Sequence, residues 1–281
     1  MTDNNSGRTG GLLSTEPATL VVGGRPLRYL RIGEGQGVPV VLLPGFGGDM
    51  KTFVLNQGPL SERRTVLALE LPGQGESTND VGSGDVPFFV DTLASFLDAS
   101  GVSRAHLAGH SLGGLVAGAF ALAQPHSVAS LTLFAAAGLG EQISTAFVEG
   151  FIAATTSEEM RAVLELLFAN PRLVTRRLVE DVLQQKRADG RVEALRTIAG
   201  QIYPGGRQEM ILDLTPLNVS LLTIWGSADR ILPPAHAAHL PAASRIEIID
   251  GVGHLPQIEA ADRVNQLVSA FLQAADEAAL Q

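Results

Sequence analysis

Gly109-His110-Ser111-Leu112-Gly113-Gly114 is the segment of this chain with the strongest chemical signature. It lies between a strand-like run, Ala105-His106-Leu107-Ala108, and a helical pattern over 112–124. The spacing G-x-S-x-G at a strand-to-helix turn holds the central serine in a strained conformation that projects its hydroxyl. Close packing there leaves room only for small residues two before and two after, the places of Gly109 and Gly113. The positive end of the following helix points at the same spot and favours an oxyanion. A serine hydroxyl attacks a carbonyl carbon only when a base takes its proton and a third group orients that base. His254, in Gly251-Val252-Gly253-His254, and Asp229, in Trp225-Gly226-Ser227-Ala228-Asp229-Arg230, each follow a strand-like run. Both therefore belong to the sheet edge that carries Ser111, and the chain order Ser, Asp, His accompanies this type of turn.

Other candidates fit less well. Asp250, four residues before His254, is the nearest rival acid, while Glu259 and Asp262 belong to the closing helix. His106 and His126 read as core or turn histidines, and His236 and His239 as residues of a surface helix. His110 is expected to point away from the elbow and to serve packing. An oxyanion hole needs two backbone N–H groups. Leu112 supplies one, and Phe46, in Pro44-Gly45-Phe46-Gly47-Gly48, is expected to supply the other. Phe46, Leu139, Ile231 and Leu255, all beside loops of this edge, are the expected substrate contacts.

Strand-like runs occupy 19–22, 27–32, 38–43, 65–69, 105–108, 128–134, 219–225 and 245–249. Helical spacing fills 86–100 and 112–124, then 146–154, 157–168, 171–188 and 192–202, and finally 256–275. Alternation of buried strand and helix predicts an α/β fold. Its mostly parallel, eight-stranded sheet would carry helices on both faces and an antiparallel edge from the early hairpin. The uninterrupted helical stretch 139–214 reads as a lid inserted into a core formed by 17–138 and 215–281, and 1–16 as a disordered leader. Phe147, Phe151, Ile152, Leu164, Leu167 and Phe168 give that lid apolar faces for the core and a pocket.

Twenty Lys and Arg against 29 Asp and Glu leave a net charge of −9. Such a chain repels phosphate backbones and anionic lipid, so neither nucleic acid nor membrane is an expected partner. The absence of cysteine removes thiolate catalysis, disulfides and Cys-ligated metal, and fits a reducing, cytoplasmic setting. No metal and no cofactor is expected. Residues 105–140 contain no charged side chain, but Gly109-His110-Ser111 and Gln124-Pro125-His126-Ser127 cut the stretch into pieces too short to span a bilayer.

The elbow, the Gly45-Phe46 loop, Leu71-Pro72-Gly73-Gln74-Gly75-Glu76-Ser77, and the Asp229 and His254 loops together resemble the α/β-hydrolases, over nearly everything after residue 20. Where many members have His-Gly before the oxyanion residue, this chain has Pro44-Gly45. A narrower likeness rests on Phe46-Gly47-Gly48-Asp49, Phe168-Ala169-Asn170-Pro171, Lys186-Arg187-Ala188-Asp189-Gly190 and Tyr203-Pro204-Gly205-Gly206-Arg207-Gln208. These segments are similar to the hydrolase-like domain of acetoin dehydrogenase acetyltransferase components. That family usually places a lipoyl domain ahead of this one. Neither Lys51 nor Lys186 has the Asp-Lys-Ala context of lipoyl attachment, so a lipoyl arm would have to come from a partner. The expectation is a serine hydrolase acting on a small ester or lactone. Hydrolysis of a carbon–carbon bond, an acyltransferase subunit of an acetoin dehydrogenase-type complex, and a binding protein without turnover are the alternatives. Self-association is left open.

Overall fold

The computed structural model describes residues 16–279; nearly all of the expected leader at 1–16 lies outside them. The chain opens with β1 (Ala18–Val22) and β2 (Arg25–Leu43), joined by a tight turn at Gly23-Gly24. There follow α1 (Val54–Ser61), β3 (Arg64–Leu69), α2 (Val86–Ala99), β4 (Ala105–His110), α3 (Leu112–Ala123) and β5 (Val128–Phe134). After a helical stretch come β6 (Ser220–Gly226) and β7 (Arg245–Ile249).

The sheet has seven continuous strands, one fewer than the eight expected. All eight runs are present, but the second and third are one strand of 19 residues. Its first arm runs against β3, with Tyr29 opposite Leu69 and Ile32 opposite Val66. Its second arm runs along the other side, with Val40 opposite Val66 and Leu42 opposite Ala68, and then pairs parallel with β4. β2 thus wraps around β3, turning near Gly33, whose φ of +82° is open to glycine and strained for other residues. The glycine-rich stretch between the runs 27–32 and 38–43 is thus the bend of one strand. From β4 to β7 the pairing is parallel throughout.

Period-two alternation sends side chains to both faces. Val41 and Leu43 enter the core beneath α2 and α3 with Phe89, Phe96 and Phe120, whereas Val40 and Leu42 pack on the opposite side with Phe53, Val268 and Phe271. Such double burial explains why the strands β4 and β5 carry no charged residue. Among the described residues no helix is long and apolar enough to cross a membrane.

Within 139–214 lie α4 (Thr145–Ala153), α5 (Ser157–Leu164), α6 (Arg176–Lys186) and α7 (Arg191–Ile202). Thr156 caps α5 in a capping box with Glu159. The single helix expected over 171–188 is broken, because the Thr175 side chain accepts the Leu178 N–H and starts α6 afresh. Buried Lys186 donates to the carbonyls of Phe151, Ile152 and Ala154, closing the end of α4. The closing helix is also divided, into α8 (Pro256–Glu259) and α9 (Ala261–Ala278), at Ala260, whose φ of −128° and ψ of 40° are not helical.

Candidate active site

Ser111 sits between β4 and α3 with φ 52° and ψ −118°, a conformation that is strained for a residue with a Cβ. The surrounding backbone holds it there. Its N–H donates to Phe134 O at 3.0 Å, and its carbonyl accepts from Gly114, Leu115 and Ala137. The flanking glycines are steric requirements. A Cβ on Gly109 would meet Gly113 O at 2.2 Å, and one on Gly113 would meet Leu43 O at 2.2 Å.

The same peptide geometry prepares the anion site. A trans peptide points its C=O and N–H in opposite directions. The Ser111 carbonyl is drawn into the elbow, so the Leu112 N–H, at the first turn of α3, is left without an intrahelical acceptor. At the other loop, the Gly45 carbonyl accepts the Gly48 N–H at 3.0 Å. The Gln74 amide, oriented to match its neighbours, donates to Gly45 O at 2.7 Å and Gly48 O at 3.2 Å. The Phe46 N–H therefore points away from that anchor. Gln74 is buried, and its role was not visible in the sequence because it acts on a loop far along the chain.

Asp229 Oδ2 accepts His254 Nδ1–H at 2.8 Å and the Trp225 indole N–H at 2.9 Å, while Oδ1 accepts the N–H groups of Ile231 (2.7 Å) and Leu232 (3.0 Å). Four N–H donors thus hold one buried carboxylate in place. This contact fixes the His254 tautomer and leaves Nε2 for a proton from elsewhere. The rival Asp250 instead accepts the Ser227 hydroxyl. Glu259 accepts Gly253 N–H at 2.8 Å and Ala169 N–H at 3.1 Å, and the His254 N–H donates to Leu167 O at 2.9 Å. The turn bearing the imidazole is thereby tied to the helical segment.

A cavity of about 150 Å³ lies in front of these groups. Ser111, His254, His110, Phe46 and Leu255 form its core side, and Phe147, Phe151, Leu164, Leu167 and Phe168 its cover. Ser111 and His254 share this wall, although no hydrogen bond joins them, as is common for a serine and its base in the absence of substrate. Phe46 stands edge-on to Phe151 and Tyr203. Of the expected substrate contacts, Phe46 and Leu255 line the cavity, whereas Leu139 and Ile231 do not. Leu139 is core, its carbonyl bonded to His239 Nδ1, and Ile231 spends its N–H on Asp229 and its carbonyl on Ser144. Ile152 likewise stays outside.

Two histidines differ from expectation. His110 does not point away: its ring lies 4.6 Å from that of His254, and its Nε2 donates to His254 O at 2.9 Å. Burial, then the neighbouring imidazole, hold its pKa well below the ordinary value, so it stays neutral. His236 is buried rather than on the surface, edge-on to Trp225 at 6.4 Å.

Glu70, after β3, is 2 % exposed and accepts from Met50 and Glu76 N–H, bracing the loop that carries Phe46. Burial outweighs those bonds and pushes its carboxyl up to about 7. A raised carboxyl stabilises the fold in its neutral form, fully below the unfolded value of 4.5 and no longer once pH has risen through about 7. Thermal stability is expected to fall between about pH 5 and 8, by at most about 3 kcal/mol from this group. Glu70→Gln is expected to flatten that slope, and parallel melting profiles for the two proteins would contradict the assignment.

The model of the alpha/beta hydrolase family matches residues 40–267. The chain belongs to that family. This hydrolase is 42 % identical over 257 residues to a dihydrolipoyllysine-residue acetyltransferase component of the acetoin cleaving system of Pseudomonas putida, covering 92 % of this chain and 69 % of that protein. A counterpart in Cupriavidus necator is 36 % identical over 253 residues, covering 89 % of this chain and 67 % of that one. Among solved structures, a meta-cleavage product hydrolase from Pseudomonas fluorescens superposes with a TM-score of 0.82 at 25 % identity, over 92 % of this chain and 98 % of its own.

Proposed function

We propose that this hydrolase cleaves a small carboxylic ester or lactone through a Ser111–His254–Asp229 triad and an acyl-enzyme. His254 takes the Ser111 proton as Oγ attacks the carbonyl carbon. The N–H groups of Phe46 and Leu112 receive the charge that develops on the carbonyl oxygen. His254 then protonates the leaving group, and the same base activates the water that releases the acid. The helices of 139–214 act as a lid that keeps bulk water from the acyl-enzyme. The observation that carries this reading is the 2.8 Å bond from His254 Nδ1 to Asp229, made beside a cavity that also holds the strained Ser111. A cavity of about 150 Å³ is of benzene size, which favours a short acyl group. Hydrolysis of a carbon–carbon bond would use the same groups.

The test is covalent. A fluorophosphonate is expected to label the native protein at Ser111, with the label found by peptide mass on the segment around residue 111. Absence of labelling at Ser111 would reject the triad assignment.

The likeness to acetoin-system acetyltransferase components favours one second reading, in which a thiol rather than water resolves the acyl-enzyme. Acetyl transfer to coenzyme A that outpaces hydrolysis would select it.

A further inference from the structure

We propose that the cavity selects an uncharged short acyl group and rejects one that ends in a carboxylate; this rests on the hydrolase reading of Ser111. The argument is the placement of charge around the wall. Apart from the two imidazoles, the charged side chains there are Asp49, Lys51 and Asp181, two negative and one positive. Asp49 is fixed: Oδ2 accepts Gln185 Nε2–H at 2.7 Å and Oδ1 accepts Lys51 N–H at 2.8 Å. Lys51 Nζ lies 4.0 Å from both Asp49 and Asp181, and its side chain is 65 % exposed. It is thus a rim cation already shared between two carboxylates.

No other cation reaches the wall among the described residues. Arg177, 3.9 Å from Asp181, is 91 % exposed and outside it. Arg191 is buried but donates to Gly75 O at 2.7 Å. His110 is neutral and donates to a carbonyl, and His254 is committed to Asp229 and the reaction. Besides the hydroxyls of Ser111 and Thr52 and the Gln185 amide, which is bound to Asp49, the rest of the lining is aromatic, aliphatic or the Gly45–Gly48 loop, and none of these carries a positive charge. A carboxylate placed there would lose its water and gain no counter-ion, while Asp49 and Asp181 would repel it. A methyl group at the same place meets phenylalanine and leucine.

Two substrates of matched chain length test this: 4-nitrophenyl butyrate and mono-4-nitrophenyl succinate, which differ by a carboxylate in place of the terminal methyl. The succinate is expected to show kcat/KM about 100-fold lower, and Asp181→Lys to narrow the gap by about tenfold. Comparable kcat/KM for both esters in the native protein would overturn the proposal while leaving the triad untouched. If neither ester is hydrolysed, binding of butyramide and succinamic acid to Ser111→Ala, read by calorimetry, decides the matter. Tighter binding of butyramide supports charge selection and leaves only the hydrolase reading in default; succinamic acid binding no more weakly overturns it.

Discussion

Ser111→Ala is expected to lower kcat/KM for a short activated ester by about 10⁴- to 10⁶-fold. The Cβ is retained, so the elbow with its φ of 52° and the bonds to Phe134, Gly114, Leu115 and Ala137 have no reason to change. Stability is accordingly expected to stay within about 1 kcal/mol of the native protein. The residue that remains after the hydroxyl is gone still has the Leu112 and Phe46 N–H groups nearby, which is why some rate above background is expected to survive. Turnover and urea unfolding of the same preparation check both halves. Undiminished turnover would move the nucleophile elsewhere.

Asp229→Asn is expected to lose both rate and stability, and the pattern of bonds says why. Each carboxylate oxygen accepts from two N–H groups: His254 and Trp225 on one, Ile231 and Leu232 on the other. An asparagine has one oxygen, so either orientation of its amide confronts N–H with N–H. Turned one way it forces the wrong tautomer on His254; turned the other it strands two backbone donors. A fall in kcat of about 10³- to 10⁴-fold is expected, together with a loss of about 1–3 kcal/mol. Measured beside Ser111→Ala, this variant separates chemistry from scaffolding, since only Asp229→Asn should move the unfolding midpoint. Retained activity would reinstate Asp250 as the acid, against its observed bond to Ser227.

What could be read in the sequence was whatever is local. The elbow is spelled by residues 109–113, because the steric conflict of Gly109 with Gly113 is a contact within one turn. The alternation of apolar runs likewise announced the layers of the fold. Asp229 and His254, far along the chain, could be named because each follows a strand-like run of the same sheet edge, but the side chains that support them left no such trace. Nothing near Gln74 says that its amide will meet Gly45, nor does anything near Trp225 say that its indole will share Asp229 with an imidazole. Leu139 and Ile231 sit beside the right loops, yet a loop position does not say which way a side chain turns. His236 was misplaced because a short polar-looking segment, PAHAAH, folded as a 3₁₀ turn against Trp225 rather than as a surface helix. The count of strands failed for a related reason: a glycine-rich link can end a strand or bend it, and the choice depends on whether β3 is there to be flanked.

The turn that carries His254 shares two fastenings with the cover above it, Leu167 through the main chain and Ala169 through Glu259. The ring proposed as the base is thus held from two directions, by Asp229 at the end of the sheet and by main-chain groups of residues 167–169.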